Sequence, residues 1–247
     1  MKKILFKEID REGVKNLILT TTHDFKNAIN IVSSGISYIE WEILGLEEIN
    51  ELKNELKSLL YDMKLSLNLF FRYINNIEIL ANLLSIEKEF SKDLFNLGSV
   101  IENIKSNILP HFEESNIKLV LDMKDCILKF NKEFLIAIIE NLLLTSLRYS
   151  RRGGTVECNI DFDEKRKNLK IETKDKGSGI PEEKPEFIFT PESQWHSKDL
   201  KLRYGRGLAL LVVSSIVEAV DGNITIKKEN DTVITEISLP IEIKEEI

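Results

Sequence analysis

His23 is one of three histidines in this chain, and an imidazole is nucleophilic near neutral pH, so it could form a bond to an electrophilic centre. It stands two positions before the apolar Phe25, about 200° around a helix that turns roughly 100° per residue. That spacing predicts an imidazole pointing away from any core. Lys26, Asn27, Asn30, Ser33, Ser34 and Ser37 continue at helical spacing as a polar strip, and Asp24 follows the histidine directly. A lone exposed histidine is usually incidental, so His23 gains weight only from its company.

That company is a pair of glycine-containing segments. Asp175-Lys176-Gly177-Ser178-Gly179-Ile180-Pro181 follows a predicted strand, and its glycines let the backbone pass close to a ligand. Gly205-Arg206-Gly207-Leu208-Ala209-Leu210 comes immediately before a predicted helix, where free N–H groups and the helix dipole favour phosphate. The polar segment between them, Glu182 to Tyr204, has the length of a lid or an active-site loop. Upstream, Asn141, Thr145 and Arg148 share one helical face at i, i+4 and i+7, with Leu142, Leu143 and Leu147 on the core side.

The elements that must position these residues are legible as periodicity. Val14, Ile18, Phe25, Ile29, Val32, Ile36, Ile39 and Ile43 form a coiled-coil-like seam; Gly45 interrupts it. The pattern resumes at Ile49, Leu52, Leu56, Leu59 and Met63, then Phe70, Ile77 and Leu84. Two long helices and a short turn make a hairpin, whose remaining apolar stripe a second hairpin would cover in a four-helix bundle, so a homodimer is expected. Beyond Leu84 helices are expected at Leu97 to Glu114, Lys132 to Tyr149 and Leu208 to Val220. Strands are expected at Ile117 to Leu121, Thr155 to Phe162, Asn168 to Thr173, Asn223 to Lys227 and Thr232 to Leu239. The second helix of this set closes on Arg151-Arg152-Gly153-Gly154. The fold class expected is α+β multidomain: residues 1–90 a helical hairpin that dimerises and residues 91–247 an α/β domain.

Composition bounds the alternatives. The chain has 247 residues, enough for two cores, with 43% hydrophobic and 30% charged residues, the balance of a folded protein. A net charge of −7 argues against a nucleic-acid surface. Ile4-Leu5-Phe6 is too short for a signal-peptide core, and the apolar Leu208 to Val220 is too short and too interrupted to span a bilayer, so a cytoplasmic location is expected. The two cysteines, Cys126 and Cys158, have neither CxxC spacing nor a nearby histidine and are expected to be buried thiols. His111 and His196 are expected to be incidental surface residues.

In order and separation, four segments resemble those of the sensor histidine kinases of two-component signalling. His23-Asp24-Phe25-Lys26-Asn27 is similar to the phosphoacceptor motif, Asn141 to Ser150 to the asparagine motif, Asp175 to Gly179 to the first glycine motif and Gly205 to Leu210 to the second. Phe187-Ile188-Phe189-Thr190-Pro191 is similar to the phenylalanine motif at the start of the lid. The resemblance implies an α/β sandwich of the kind shared with gyrase and heat-shock chaperone ATPases, with ATP and Mg²⁺ as ligands. It implies that Asp175 accepts the adenine amino hydrogen, that Gly177 and Gly179 shape the adenine wall, and that Gly205 and Gly207 let the lid close. Asn141 falls at the phosphate and metal end, Arg148 matches a phosphate-approaching cation, and Tyr149 an aromatic beside the nucleotide. His23 is implied as phosphoacceptor, Asp24 as its hydrogen-bond acceptor, and Asn27 as the residue orienting water for dephosphorylation of a response regulator. A response regulator receiver domain and a separate sensor or input protein are the implied partners.

The sequence departs from the family at four places. Thr145 replaces the second asparagine, a Mg²⁺ ligand, with a shorter oxygen donor. Ala28 replaces a proline and leaves the first helix straighter; Ala209 replaces a frequent glycine and Asn131 a common aspartate. These leave room for two alternatives: a histidine phosphotransferase or adaptor with a weakened nucleotide domain, and a non-catalytic nucleotide- or kinase-binding regulator.

Overall fold

The computed structural model describes residues 11–44, 51–83, 90–163, 167–177 and 208–244. The chain divides into two compact units, Met1–Ile86 and Glu87–Ile247. The regularity of the apolar seam has a direct structural outcome in the first unit, where α1 (Arg11–Leu44) and α2 (Glu51–Leu83) pack as a hairpin.

Each seam splits into two columns. On α1, Ile29, Ile36 and Ile43 are buried at seven-residue spacing, whereas Phe25, Val32 and Ile39 are about half exposed. On α2 the inward column is Leu60, Leu67, Ile74 and Ala81, and Leu59, Met63 and Phe70 face out. The expected α2 seam is therefore largely the outer column. An apolar stripe two columns wide can present only one column to a single partner helix. Ile36, Ile43 and Leu60 form a core cluster against Leu56 and Leu67. Ion pairs Lys26–Glu78 and Lys64–Glu40 tie the two helices together, and the Phe25 and Phe70 rings meet edge to face at 6.1 Å.

The second unit is a sheet covered by helices. It runs β1 (Asp93–Asn96), α3 (Leu97–Glu114), β2 (Lys118–Met123), β3 (Ile127–Phe130), α4 (Lys132–Tyr149), β4 (Thr155–Asp163), β5 (Asn168–Asp175), α5 (Leu208–Ala219), β6 (Asn223–Glu229), β7 (Thr232–Pro240) and β8 (Glu242–Lys244). The main sheet has the order β2-β4-β5-β7-β6; β2 and β4 are parallel and the other pairs antiparallel. A small sheet of order β1-β3-β8 stands apart from it.

Alternation decides the layers. Val156, Cys158 and Ile160 of β4, and Leu169, Ile171, Thr173 and Asp175 of β5, point into the helix layer and are buried. The other face carries charge, with ion pairs Lys174–Glu172 at 2.6 Å and Lys227–Glu236 at 3.4 Å. This is the α/β sandwich expected of the second unit.

Helix starts are fixed by side-chain caps. Asn96 accepts from the Ser99 N–H at 2.7 Å, and Asn131 accepts from the Phe134 N–H at 2.8 Å while its Nδ2 donates to the Ser91 carbonyl. Asp125 locks the first cap, accepting from Asn96 Nδ2 at 3.0 Å and from the Gly98 N–H at 2.8 Å. These bonds hold the Asp125 carboxyl below its ordinary range. A depressed carboxyl contributes stability above its unfolded-state value, and that contribution is lost as pH falls through the folded one. Asp125→Ala should therefore destabilise the protein by about 1 kcal/mol at neutral pH; in urea denaturation its deficit should shrink in acid.

Two side-chain expectations are corrected. His111 is fully buried in the last turn of α3 rather than on the surface, because its position continues the core-facing series Ile101, Ile104 and Ile108. Cys126 is only half buried, since it lies in the exposed connection after Asp125; Cys158 is buried as expected. Burial pushes the Cys126 thiol up to about 11 and the Cys158 thiol up to about 12, so neither is a thiolate at neutral pH. His196 lies outside the described residues.

Candidate active site

The last turn of α4 and the end of β5 meet at one buried carboxylate. It belongs to Asp175, which is 5% exposed and is the last residue of β5. Its sheet neighbours are Val156 on β4 and Val233 on β7, both apolar and buried. Burial pushes the Asp175 carboxyl up to about 6, against a lowering effect from the hydrogen bond donated by the Ser146 hydroxyl. Oδ1 of Asp175 is buried without a hydrogen-bond partner among the described residues, and so is Oγ of Ser150. An unsatisfied buried acceptor is costly in an apo protein and is explained most simply by a ligand or water donor.

Gly177 forms the adjoining wall. It makes an isolated antiparallel bridge to Ser150. A Cβ at this position would stand 2.6 Å from Asp175 Oδ1 and 2.8 Å from the Tyr149 carbonyl oxygen. Glycine is needed here for close approach rather than for a left-handed turn.

Asn141 is buried, and its Nδ2 donates to the Ala137 carbonyl at 2.8 Å, which fixes the amide plane. The expectation of a polar outer face for Asn141, Thr145 and Arg148 is thus only partly met: Thr145 and Arg148 are half exposed, while Asn141 belongs to the buried side. α4 packs on α5 as well as on the sheet, so its buried sector is wider than one side of an amphipathic helix. The Arg148 guanidinium lies over the Tyr149 ring, 5.4 Å from its centroid.

His23 lies in the other unit, exposed on α1 after the buried Thr22, whose hydroxyl donates to the Leu19 carbonyl. The side chains of Asp24 and Asn27 lie outside the described residues, as do Gly179, Gly205, Gly207 and the segments 182–204 and 187–191. Ser146 is the site residue that motif reading passed over. Its signal in the sequence was its place between Thr145 and Leu147, on the turn of α4 that precedes Tyr149.

Residues 130–243 match the family described as histidine kinase-, DNA gyrase B- and HSP90-like ATPase. Sensor protein KdpD of Clostridium acetobutylicum is 27% identical over 245 residues, which is 96% of this chain and 26% of that protein. Sensor histidine kinase WalK of Bacillus subtilis is 28% identical over 155 residues, covering 60% of this chain and 25% of the relative. Residues 130–243 thus resemble a histidine kinase-type ATPase domain, and the chain is similar to sensor histidine kinases over most of its length.

The chain spans about a quarter of the length of those two proteins. Its fold matches the catalytic domain of histidine kinase ThkA with a TM-score of 0.52 at 19% identity, over 61% of this chain and 96% of that one. It matches full-length ShkA in complex with AMPPNP with a TM-score of 0.63 at 16% identity, over 93% of this chain and 46% of that one. No helix among the described residues is long and apolar enough to cross a membrane.

The residues present fit a bound nucleotide. A buried acceptor without a donor, walled by a glycine that excludes any Cβ, suits a planar base bearing an amino group. No cluster of three or more His, Cys, Asp or Glu side chains capable of holding a metal occurs among the described residues. Mg²⁺ in nucleotide sites takes most of its ligands from phosphate and water, and the side-chain oxygens of Asn141 and Thr145 are the donors on α4 that could add to them.

Proposed function

We propose that this chain is an ATP-dependent protein histidine kinase that phosphorylates His23 and passes the phosphoryl group to an aspartate of a response regulator. The observation that carries the reading is the orphaned Asp175 Oδ1 beside Gly177, which suits recognition of the adenine amino group. Tyr149 flanks the base, Arg148 approaches the phosphates, and Gly179 is assigned to base recognition by its place in the first glycine motif. Asn141 and Thr145 would hold Mg²⁺, which would offset charge on the transferring group. Gly205 and Gly207 give the lid its freedom to close.

His23 attacks through Nε2: its lone pair forms the new N–P bond to the γ-phosphorus while the bond from that phosphorus to the bridging oxygen of ADP breaks. Asp24 accepts from the imidazole Nδ1–H and raises the basicity of Nε2. In the reverse role, Asn27, one turn along the helix, orients water for dephosphorylation of the regulator. The receiver domain docks along the polar strip that starts at His23, the input comes from a separate sensor protein, and the whole reaction is cytoplasmic.

The second copy of the chain covers the outer columns Phe25, Val32, Ile39 and Leu59, Met63, Phe70, giving a homodimeric four-helix bundle from residues 1–90, while residues 91–247 form the catalytic domain. Sedimentation equilibrium at micromolar concentration should give a dimer, and Val32→Lys with Ile39→Lys should give a folded monomer. A wild-type monomer at that concentration contradicts the bundle.

The transfer itself is tested by incubating the chain with γ-labelled ATP and Mg²⁺ and then adding a receiver domain. Label should appear on the chain and move to the receiver. Label that reaches the chain only from a pre-phosphorylated receiver, and never from ATP, would select the phosphotransferase instead.

A further inference from the structure

We propose that Ser146 is a positioning residue for nucleotide recognition: its hydroxyl holds the buried Asp175 carboxylate ionised and aimed, leaving Oδ1 to receive the donor of the base. The inference rests on the reading of Asp175 as the base acceptor. It goes beyond that reading by assigning the control of this carboxylate to a single side chain 29 positions earlier in the chain.

The geometry confines the carboxylate on every side. Val156 and Val233 flank it in the sheet, Gly177 meets Oδ1, and Ser146 donates to it from α4. Ser146 is itself 5% exposed, and its carbonyl accepts the Ser150 N–H at 2.9 Å that ends the helix. The hydroxyl is thus anchored by the same turn that presents Tyr149 and Ser150 to Gly177.

Among the described residues no cation contributes to the Asp175 shift. On α4 the neighbouring charged or titratable groups are Glu140, Arg148 and Tyr149; on the strands they are Glu157, Lys174 and Glu236, and Lys176 follows Asp175 in the chain. None of them is a cause of the Asp175 shift, which has burial raising it and Ser146 lowering it. With the carboxyl already pushed up to about 6, loss of the one favourable bond moves its titration toward neutral pH. A protonated carboxyl is the weaker acceptor for an amino group.

The test is equilibrium binding of ATP with Mg²⁺ to the full chain between about pH 5 and about pH 8. Wild type, Ser146→Ala, Ser146→Thr and Asp175→Ala are compared, each first shown to unfold cooperatively on heating. Wild-type affinity should fall as pH drops through about 6. In Ser146→Ala that fall should begin about one pH unit higher, the size of one neutral hydrogen bond. Ser146→Thr, which keeps the hydroxyl, should restore the wild-type profile.

An unchanged profile in Ser146→Ala, with Asp175→Ala unable to bind, overturns this role and leaves Asp175 as the base acceptor. Wild-type binding by Asp175→Ala overturns both. A uniform loss of affinity in Ser146→Ala at all pH values, unrestored by Ser146→Thr, also overturns the role and makes Ser146 a packing residue only.

Discussion

Asp175→Asn should make the nucleotide-free protein more stable and its nucleotide complex weaker. Burial has carried the carboxyl from its ordinary 3.8 to about 6, so the folded state disfavours the charge that the unfolded chain carries freely. The sign follows from proton counts: between those values the folded state holds more protons, and stability falls as pH rises through the window. Above about pH 6 the penalty is fully present, and at about 1.4 kcal/mol per tenfold change in protonation it amounts to as much as about 3 kcal/mol. An amide of the same shape carries no charge and removes the penalty. The same substitution exchanges a charged acceptor for a neutral one, which costs about 1.4 kcal/mol, or tenfold in affinity. Thermal denaturation without ligand and nucleotide titration of the same sample measure the two opposite effects. A buried polar group that weakens the fold while serving a ligand is the usual signature of a functional site.

Gly177→Ala should damage both fold and binding. The two atoms that an added Cβ would meet, at 2.6 and 2.8 Å, are a buried carboxylate oxygen and a main-chain oxygen of the last turn of α4. Neither is the free end of a flexible side chain, so relief requires the bridge between Gly177 and Ser150 to open. Overpacking of this kind costs about 1 to 3 kcal/mol. The added methyl group would also fill the space beside Oδ1, so nucleotide binding should be lost in the fraction that folds. Gly153→Ala is the matched control: it has a φ of +80° but nothing within 4 Å, so it should lose about 1 kcal/mol of stability and keep its affinity.

Much of this fold could be read in the sequence because local signals were strong. The helices Leu97–Glu114 and Lys132–Tyr149 have the expected bounds, each started by an asparagine cap, at Asn96 and Asn131. The strands β1, β3 and β8 were missed. They have four, four and three residues, too few for alternation to register, and they exist because they pair with one another.

The site divides along the same line. Gly177 and Asp175 stand in a recognisable run, and α4 is an evident amphipathic helix. The bond from Ser146 to Asp175 joins residues far apart in sequence, so no periodicity announces it. The burial of Asn141 and His111 likewise depends on which elements cover α4 and α3, and helix arithmetic gives the angle of a side chain without giving its neighbours. The two columns of the hairpin seam are the same case: the sequence pattern contains both, and the fold of one chain buries one.

His23 is proposed to receive the phosphoryl group of ATP, and its removal tests this directly. Wild type and His23→Ala, incubated in parallel with γ-labelled ATP and Mg²⁺, should differ completely: acid-labile, alkali-stable label on the first and none on the second, with equal nucleotide affinity in both. Equal label on the two proteins, or no label on a wild type that binds ATP, would contradict it.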